Sequence, residues 1–209
     1  MTSLRPLLLT LGPEGSMPLA IPGAEARLLD PLPGQASPRI ASASELENGY
    51  KTLSTFLQML PDAQPVILYG QGANGTLAVH ALGKTNRFSA AVIHSALVDP
   101  LSALGLTDTV LPDPGKSLES QVHALALDCV LEEIRSVSCP LLILHGEKDE
   151  RVPSAQSDEL FVLMKSLHPE LPTRLLLFPE EGHVFSKGAQ TVLLHAVHDF
   201  LNVCLGGEG

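Results

Sequence analysis

Leu141-Leu-Ile-Leu-His-Gly-Glu-Lys-Asp149-Glu-Arg-Val-Pro153 reads as a strand that runs into a turn carrying an acid. Leu141 to Leu144 is a short apolar run of strand type, and the nearly uniform run Pro65-Val-Ile-Leu-Tyr69 is what a central strand covered on both faces requires. Asp149 stands just beyond the strand end, and Ser154–Ser166 then takes up helical spacing. A second segment, Leu176-Leu-Phe-Pro-Glu-Glu-Gly-His183-Val-Phe185, repeats the plan: the strand Thr173–Phe178 ends, and a histidine stands in the loop after it. Polar residues at the C-terminal ends of successive strands occupy the edge where open α/β sheets build their sites.

Outward from these segments, short apolar runs alternate with helical stretches, which predicts a mainly parallel sheet with crossover helices. The expected strands are Leu7–Leu11, Ala26–Leu29, Pro65–Tyr69 and Ala90–Ile93. Ser44-Glu-Leu-Glu47 has the spacing of a capping box, and Leu46, Tyr50, Leu53 and Leu57 fall on one helical face that Pro61 terminates. Further helices are expected over Gly75–Leu82, Leu118–Ile134 and Thr191–Cys204. The Pro/Gly/Ser-rich stretch up to Ser42 reads as loop, and residues 98–117 as a loop or small lid. No repeat or linker divides the chain, so residues 1–209 are expected to form one domain.

Gly70-Gln71-Gly72-Ala73-Asn74-Gly75 follows a strand and opens a helix, and it can be read two ways. As G-x-G-x-x-G it is the dinucleotide fingerprint, using Gly70, Gly72 and Gly75 with Asp99 as the acid for a ribose. It also fits the nucleophile elbow G-x-S-x-G, with Gly72 at the serine position. An elbow holds its central residue in a strained conformation that glycine tolerates best, so glycine keeps the turn and deletes the Oγ. The order elbow, acid, histidine is that of the α/β-hydrolase fold.

The segments His145–Pro153 and Glu181–Phe185, taken with the elbow, resemble the prolyl-oligopeptidase family of serine peptidases, which includes the acylaminoacyl-peptidases. The resemblance runs from about Leu46 to the C-terminus. It implies that Asp149 orients and stabilises the imidazole of His183, and that His183 is the general base. It also implies one oxyanion donor in the N–H of Ala73 and a second near Gly12. Pro6-Leu-Leu-Leu-Thr-Leu-Gly-Pro-Glu-Gly15 resembles the family's first strand and oxyanion turn, with Leu11 and Gly12 replacing its His-Gly-Gly. Residue 72 would be the nucleophile, and glycine cannot serve, so the expectation is an inactive or strongly impaired hydrolase lineage. An active serine peptidase or esterase substituted at residue 72 stays open, as does the dinucleotide reading.

Composition narrows the rest. The chain has 23 acidic and 13 basic residues without a Lys/Arg cluster, which argues against a nucleic-acid groove. Three cysteines without C-x-x-C spacing argue against disulfides or zinc and for a reducing, cytoplasmic setting. No apolar run approaches the ~20 residues of a membrane span. No cofactor or metal is expected, and the ligand class is a small peptide or ester. Ser95 at a strand end is a substitute nucleophile off any elbow, with a structural serine the plainer account. His145 reads as a packed or capping residue, and His195 and His198 as helix-surface histidines rather than a metal pair. Glu147, Glu150, Glu180 and Glu181 gather around the same loops, where solvated charge is the ordinary explanation against a calcium-type role.

Overall fold

A computed structural model describes residues 4–12, 21–32, 41–107, 110 and 113–206. The turn expected over residues 13–15, most of the loop before Ser42 and parts of the segment 98–117 lie outside them.

Six strands form one parallel sheet: β1 (Leu7–Leu11), β2 (Glu25–Leu29), β3 (Val66–Gln71), β4 (Ala90–His94), β5 (Leu141–Gly146) and β6 (Thr173–Phe178). Their spatial order is β2-β1-β3-β4-β5-β6, so the chain builds outward to β2 and then returns past β1. The order reverses between β1 and β3, which places a crevice at the C-terminal end of β3. β1, β4 and β5 are buried along their whole length, whereas the edge strands β2 and β6 are partly exposed. This explains why the inner strands are continuous apolar runs rather than alternating ones.

The helices are α1 (Ala43–Gln58), α2 (Ala73–Lys84), α3 (Leu118–Leu127), α4 (Ala155–Leu167) and α5 (Lys187–Leu205). Strand periodicity sorts the sheet side chains between two layers. Leu9, Leu68, Ile93 and Ile143 join Leu53 of α1, Leu77 of α2 and Met164 of α4. Their sequence neighbours Leu8, Ile67, Val92 and Leu142 face the other way and meet Leu193, Val197 and Phe200 of α5. Each large apolar side chain taken fully from water contributes about 1.5–3 kcal/mol. α2 is buried from Asn74 to Leu82, so it is apolar on nearly every side.

Two local expectations need correction. The capping box of α1 uses Ser42 and Glu45, not Ser44 and Glu47: the Glu45 carboxylate accepts from the Ser42 N–H at 2.9 Å and from its hydroxyl at 2.8 Å. Overlapping S-x-x-E patterns make the two registers indistinguishable by spacing. The helix expected over Leu118–Ile134 breaks at Asp128, and a 3-10 helix spans Leu131–Ser136. Asp128 accepts from the Ala43 N–H at 2.8 Å, and the Val130 N–H donates to Val98 at 3.0 Å. These contacts turn the chain so that Ile134 is buried in the core.

Candidate functional site

The turn between β3 and α2 puts Gly72 at φ +57°, ψ −127°. A side-chain-bearing residue rarely adopts that backbone, and glycine does so without a Cβ penalty. The turn is clamped on both sides: the Gly72 N–H donates to the His94 carbonyl at 3.0 Å, and the Gly72 carbonyl accepts from the Thr76 N–H at 3.0 Å. Ala73 is the first residue of α2, so its N–H has no intrahelical partner and lies at the positive end of the helix dipole. Gly72 and Ala73 are both only half-buried.

Asp149 follows β5 in a tight turn, and its side chain is fully buried. One carboxylate oxygen accepts from the N–H groups of Arg151 and Val152, each at 2.9 Å. The other accepts from His183 Nδ1 at 2.8 Å. Burial by itself pushes the carboxyl pKa up, but hydrogen bonds from His145, His183 and the Val152 N–H outweigh it. The group is held well below the usual carboxylate range and is ionised at neutral pH.

With Nδ1–H donated to Asp149, the proton-free nitrogen of neutral His183 is Nε2. That nitrogen faces the turn: a Cβ built on Gly72 would lie 3.2 Å from Nε2 and 3.6 Å from Cε1. The histidine loop is set against the acid loop by close backbone approach. A Cβ at Gly146 would meet the Glu181 carbonyl oxygen at 2.3 Å, so only glycine admits that loop. The Lys148 N–H donates to the same carbonyl at 2.9 Å. Of the acidic residues around these loops, Glu180 pairs with Lys148, and Glu181 accepts from the Ser186 N–H and hydroxyl at the start of α5. No group of three or more metal-ligating side chains occurs among the described residues.

The remaining candidates fall elsewhere. His145 is fully buried, with Nδ1 2.6 Å from the Ser157 hydroxyl and Nε2 2.9 Å from the Val152 carbonyl, so it fastens the acid turn. Ser95 is 0% exposed and takes φ +48°, so its hydroxyl is shut away from any ligand in the cleft. His195 is exposed on α5, and His198 lies beside Asn202. Asp99 receives the Leu101 N–H at 3.1 Å. The described part of 98–117 is tied to α4, where Gln156 accepts the N–H groups of Val98 and Asp99 and donates to Ser102. The Gly12 N–H donates to the Leu29 carbonyl at 3.0 Å, extending the β1–β2 ladder, and the rest of the turn expected to carry the second oxyanion donor lies outside the described residues.

Two contributing residues carried no sequence signal as such. Gln71 donates its side-chain amide to the His183 carbonyl at 2.9 Å. His94 is buried, with Nδ1 2.9 Å from the Tyr69 hydroxyl and its ring 4.4 Å from that of Phe185. Burial, helped by repulsion from His145 and His183, lowers its pKa to about 3 and keeps it neutral. Only the fold brings these partners together.

Residues 56–208 match the sequence pattern of the prolyl oligopeptidase family. An uncharacterized peptidase of Bacillus subtilis, YuxL, is 33% identical over 122 residues, covering 56% of this chain and 18% of the relative. The acylamino-acid-releasing enzyme of Sus scrofa is 32% identical over 139 residues, covering 60% of this chain and 18% of that enzyme. The chain thus matches under a fifth of the length of either relative. Among solved structures, the acylaminoacyl peptidase of Pyrococcus horikoshii superposes at TM-score 0.68 with 16% identity, over 97% of this chain and 38% of that one. Est1E of Butyrivibrio proteoclasticus superposes at TM-score 0.70 with 14% identity, over 98% of this chain and 90% of its own. Both superpositions carry the α/β-hydrolase fold.

Proposed function

Because the chain belongs to the prolyl oligopeptidase family, we propose that Gly72 stands at its nucleophile position, with Asp149 and His183 as acid and base. The domain is serine-hydrolase-like. In this reading it keeps the proton-handling half of the site and forms no acyl-enzyme. The observation that carries it is the alignment of three groups: Asp149 Oδ2 lies 2.8 Å from His183 Nδ1, and a Cβ at residue 72 would sit 3.2 Å from Nε2. A nucleophilic hydroxyl on that Cβ would be within reach of the base. The ligand class is a small peptide or ester, in keeping with the acylamino-acid-releasing relatives, and the Ala73 N–H is the donor for its carbonyl. Residues 1–209 are taken as one domain with a cytoplasmic setting.

A fluorophosphonate probe tests this directly. The chain as it stands is expected to remain unlabelled, and Gly72→Ser is expected to label at residue 72, with labelling lost on His183→Ala. Labelling of the unaltered chain at any residue overturns the assignment. Tight binding of NAD(P)H, read by nicotinamide fluorescence and abolished by substitution of Asp99, would install the dinucleotide reading in its place.

A further inference from the structure

Resting on residue 72 as the nucleophile position, we infer that the Asp149–His183 pair activates a water molecule held over Gly72. The domain then hydrolyses activated esters by direct attack of that water. The space for it is created by the missing side chain. Apart from chain neighbours, Nε2 and Cε1 of His183 are the only atoms among the described residues within 4 Å of the Cβ position. A serine would fill that space with a methylene and a hydroxyl, and a water takes about 30 Å³. Placed there, the water donates to Nε2 at about 2.8 Å. Nε2 is the proton-free nitrogen because Nδ1–H is committed to Asp149.

The chemistry balances without a covalent intermediate. The water oxygen bonds to the ester carbonyl carbon while one of its O–H bonds breaks and that proton moves to His183 Nε2. The carbonyl π electrons move onto oxygen, facing the Ala73 N–H at the start of α2. The buried, ionised carboxylate of Asp149 stabilises the imidazolium formed. The carbon–oxygen bond to the leaving group then breaks with its electron pair, and the imidazolium returns a proton to the departing oxygen. The products are a carboxylic acid and an alcohol or phenol. A loosely held water is a poorer nucleophile than a fixed hydroxyl. The substrate class is therefore esters with good leaving groups, not peptide amides.

The test is hydrolysis of p-nitrophenyl acetate by the unaltered chain, His183→Ala, His183→Gln and Gly72→Ala, with intact-mass analysis during turnover. The unaltered chain is expected to turn over in a single phase, without a burst and without an acetyl adduct. Both His183 variants are expected to be slower by about 10²-fold, the scale of general-base catalysis. Gly72→Ala is expected to lose activity although acid and base remain, because its methyl occupies the water's place. Its fold is checked by circular dichroism. Equal rates in the unaltered chain and both His183 variants, with no adduct, overturn the water mechanism and leave the missing nucleophile standing. An acetyl adduct on the unaltered chain overturns both.

Discussion

Gln71 holds His183 by its backbone: the Gln71 side-chain amide donates to the His183 carbonyl at 2.9 Å, across 112 positions of sequence. The residue beside the turn centre thereby fixes the loop that carries His183. Removing the donor leaves a half-buried carbonyl unsatisfied and frees the imidazole to drift from Gly72. Gln71→Ala is expected to cost about 1 kcal/mol in urea denaturation. In a Gly72→Ser background it is expected to lower kcat more than it changes KM. Gln71→Glu, which has no donor at neutral pH, is expected to behave like alanine. Unchanged kcat in both would show that the contact is incidental.

Gly72→Ser alone is expected to restore weak esterase activity. Asp149 and His183 are paired at 2.8 Å, but the Gly12 N–H is spent on Leu29. Loss of one oxyanion donor costs on the order of 10²–10³ in rate. Burst kinetics with an activated ester measure acylation. Acylation at the level of ordinary serine esterases would mean that another group supplies the second donor.

Gly72→Ala is expected to destabilise the fold. At φ +57° an alanine carries strain of about 1–3 kcal/mol, and its methyl would press to 3.2 Å from His183 Nε2. The unfolded-state entropy recovered is only ~0.4–1 kcal/mol. A more stable variant with an unchanged m-value would remove the elbow assignment.

His94 sets an acid limit. Its folded pKa is depressed to about 3, so below the unfolded value near 6.5 the unfolded chain binds a proton that the folded chain refuses. Stability is therefore complete above about pH 6.5. It falls between there and about pH 3, with a slope approaching 1.4 kcal/mol per pH unit for this one group. Denaturation midpoints of the unaltered chain and His94→Gln from pH 7 to 4 check this. Parallel curves would assign the loss to other groups.

Asp149 acts lower on the scale and with the same sign. Its folded pKa lies below the unfolded one, so its contribution is full above about pH 4 and disappears as acid protonates the folded carboxylate. Asp149→Asn is expected to lower stability at neutral pH and to flatten the curve below pH 4. An equally steep acid limb in both proteins would place the titrating carboxylate elsewhere.

Sequence periodicity alone determined the strands, and it marked Pro65–Tyr69 as central, because an inner strand of a parallel sheet must be apolar on both faces. It also placed Asp149 and His183 in strand-end loops, since chain order and strand ends are local properties. What it left open were distances and free valences. The capping register of α1 turns on whether Glu45 or Glu47 reaches back, and both spacings are admissible until one carboxylate meets Ser42. The break after α3 comes from Asp128 meeting Ala43, a contact between segments 85 positions apart. The Gly12 N–H is taken by Leu29 because β2 lies beside β1. Gln71 and His94 gained roles because parallel pairing stacks the ends of β3 and β4 against the loop after β6. Side-chain identity states which groups can donate or accept, but a hydrogen bond between distant segments exists only once the sheet register has set the separation between them.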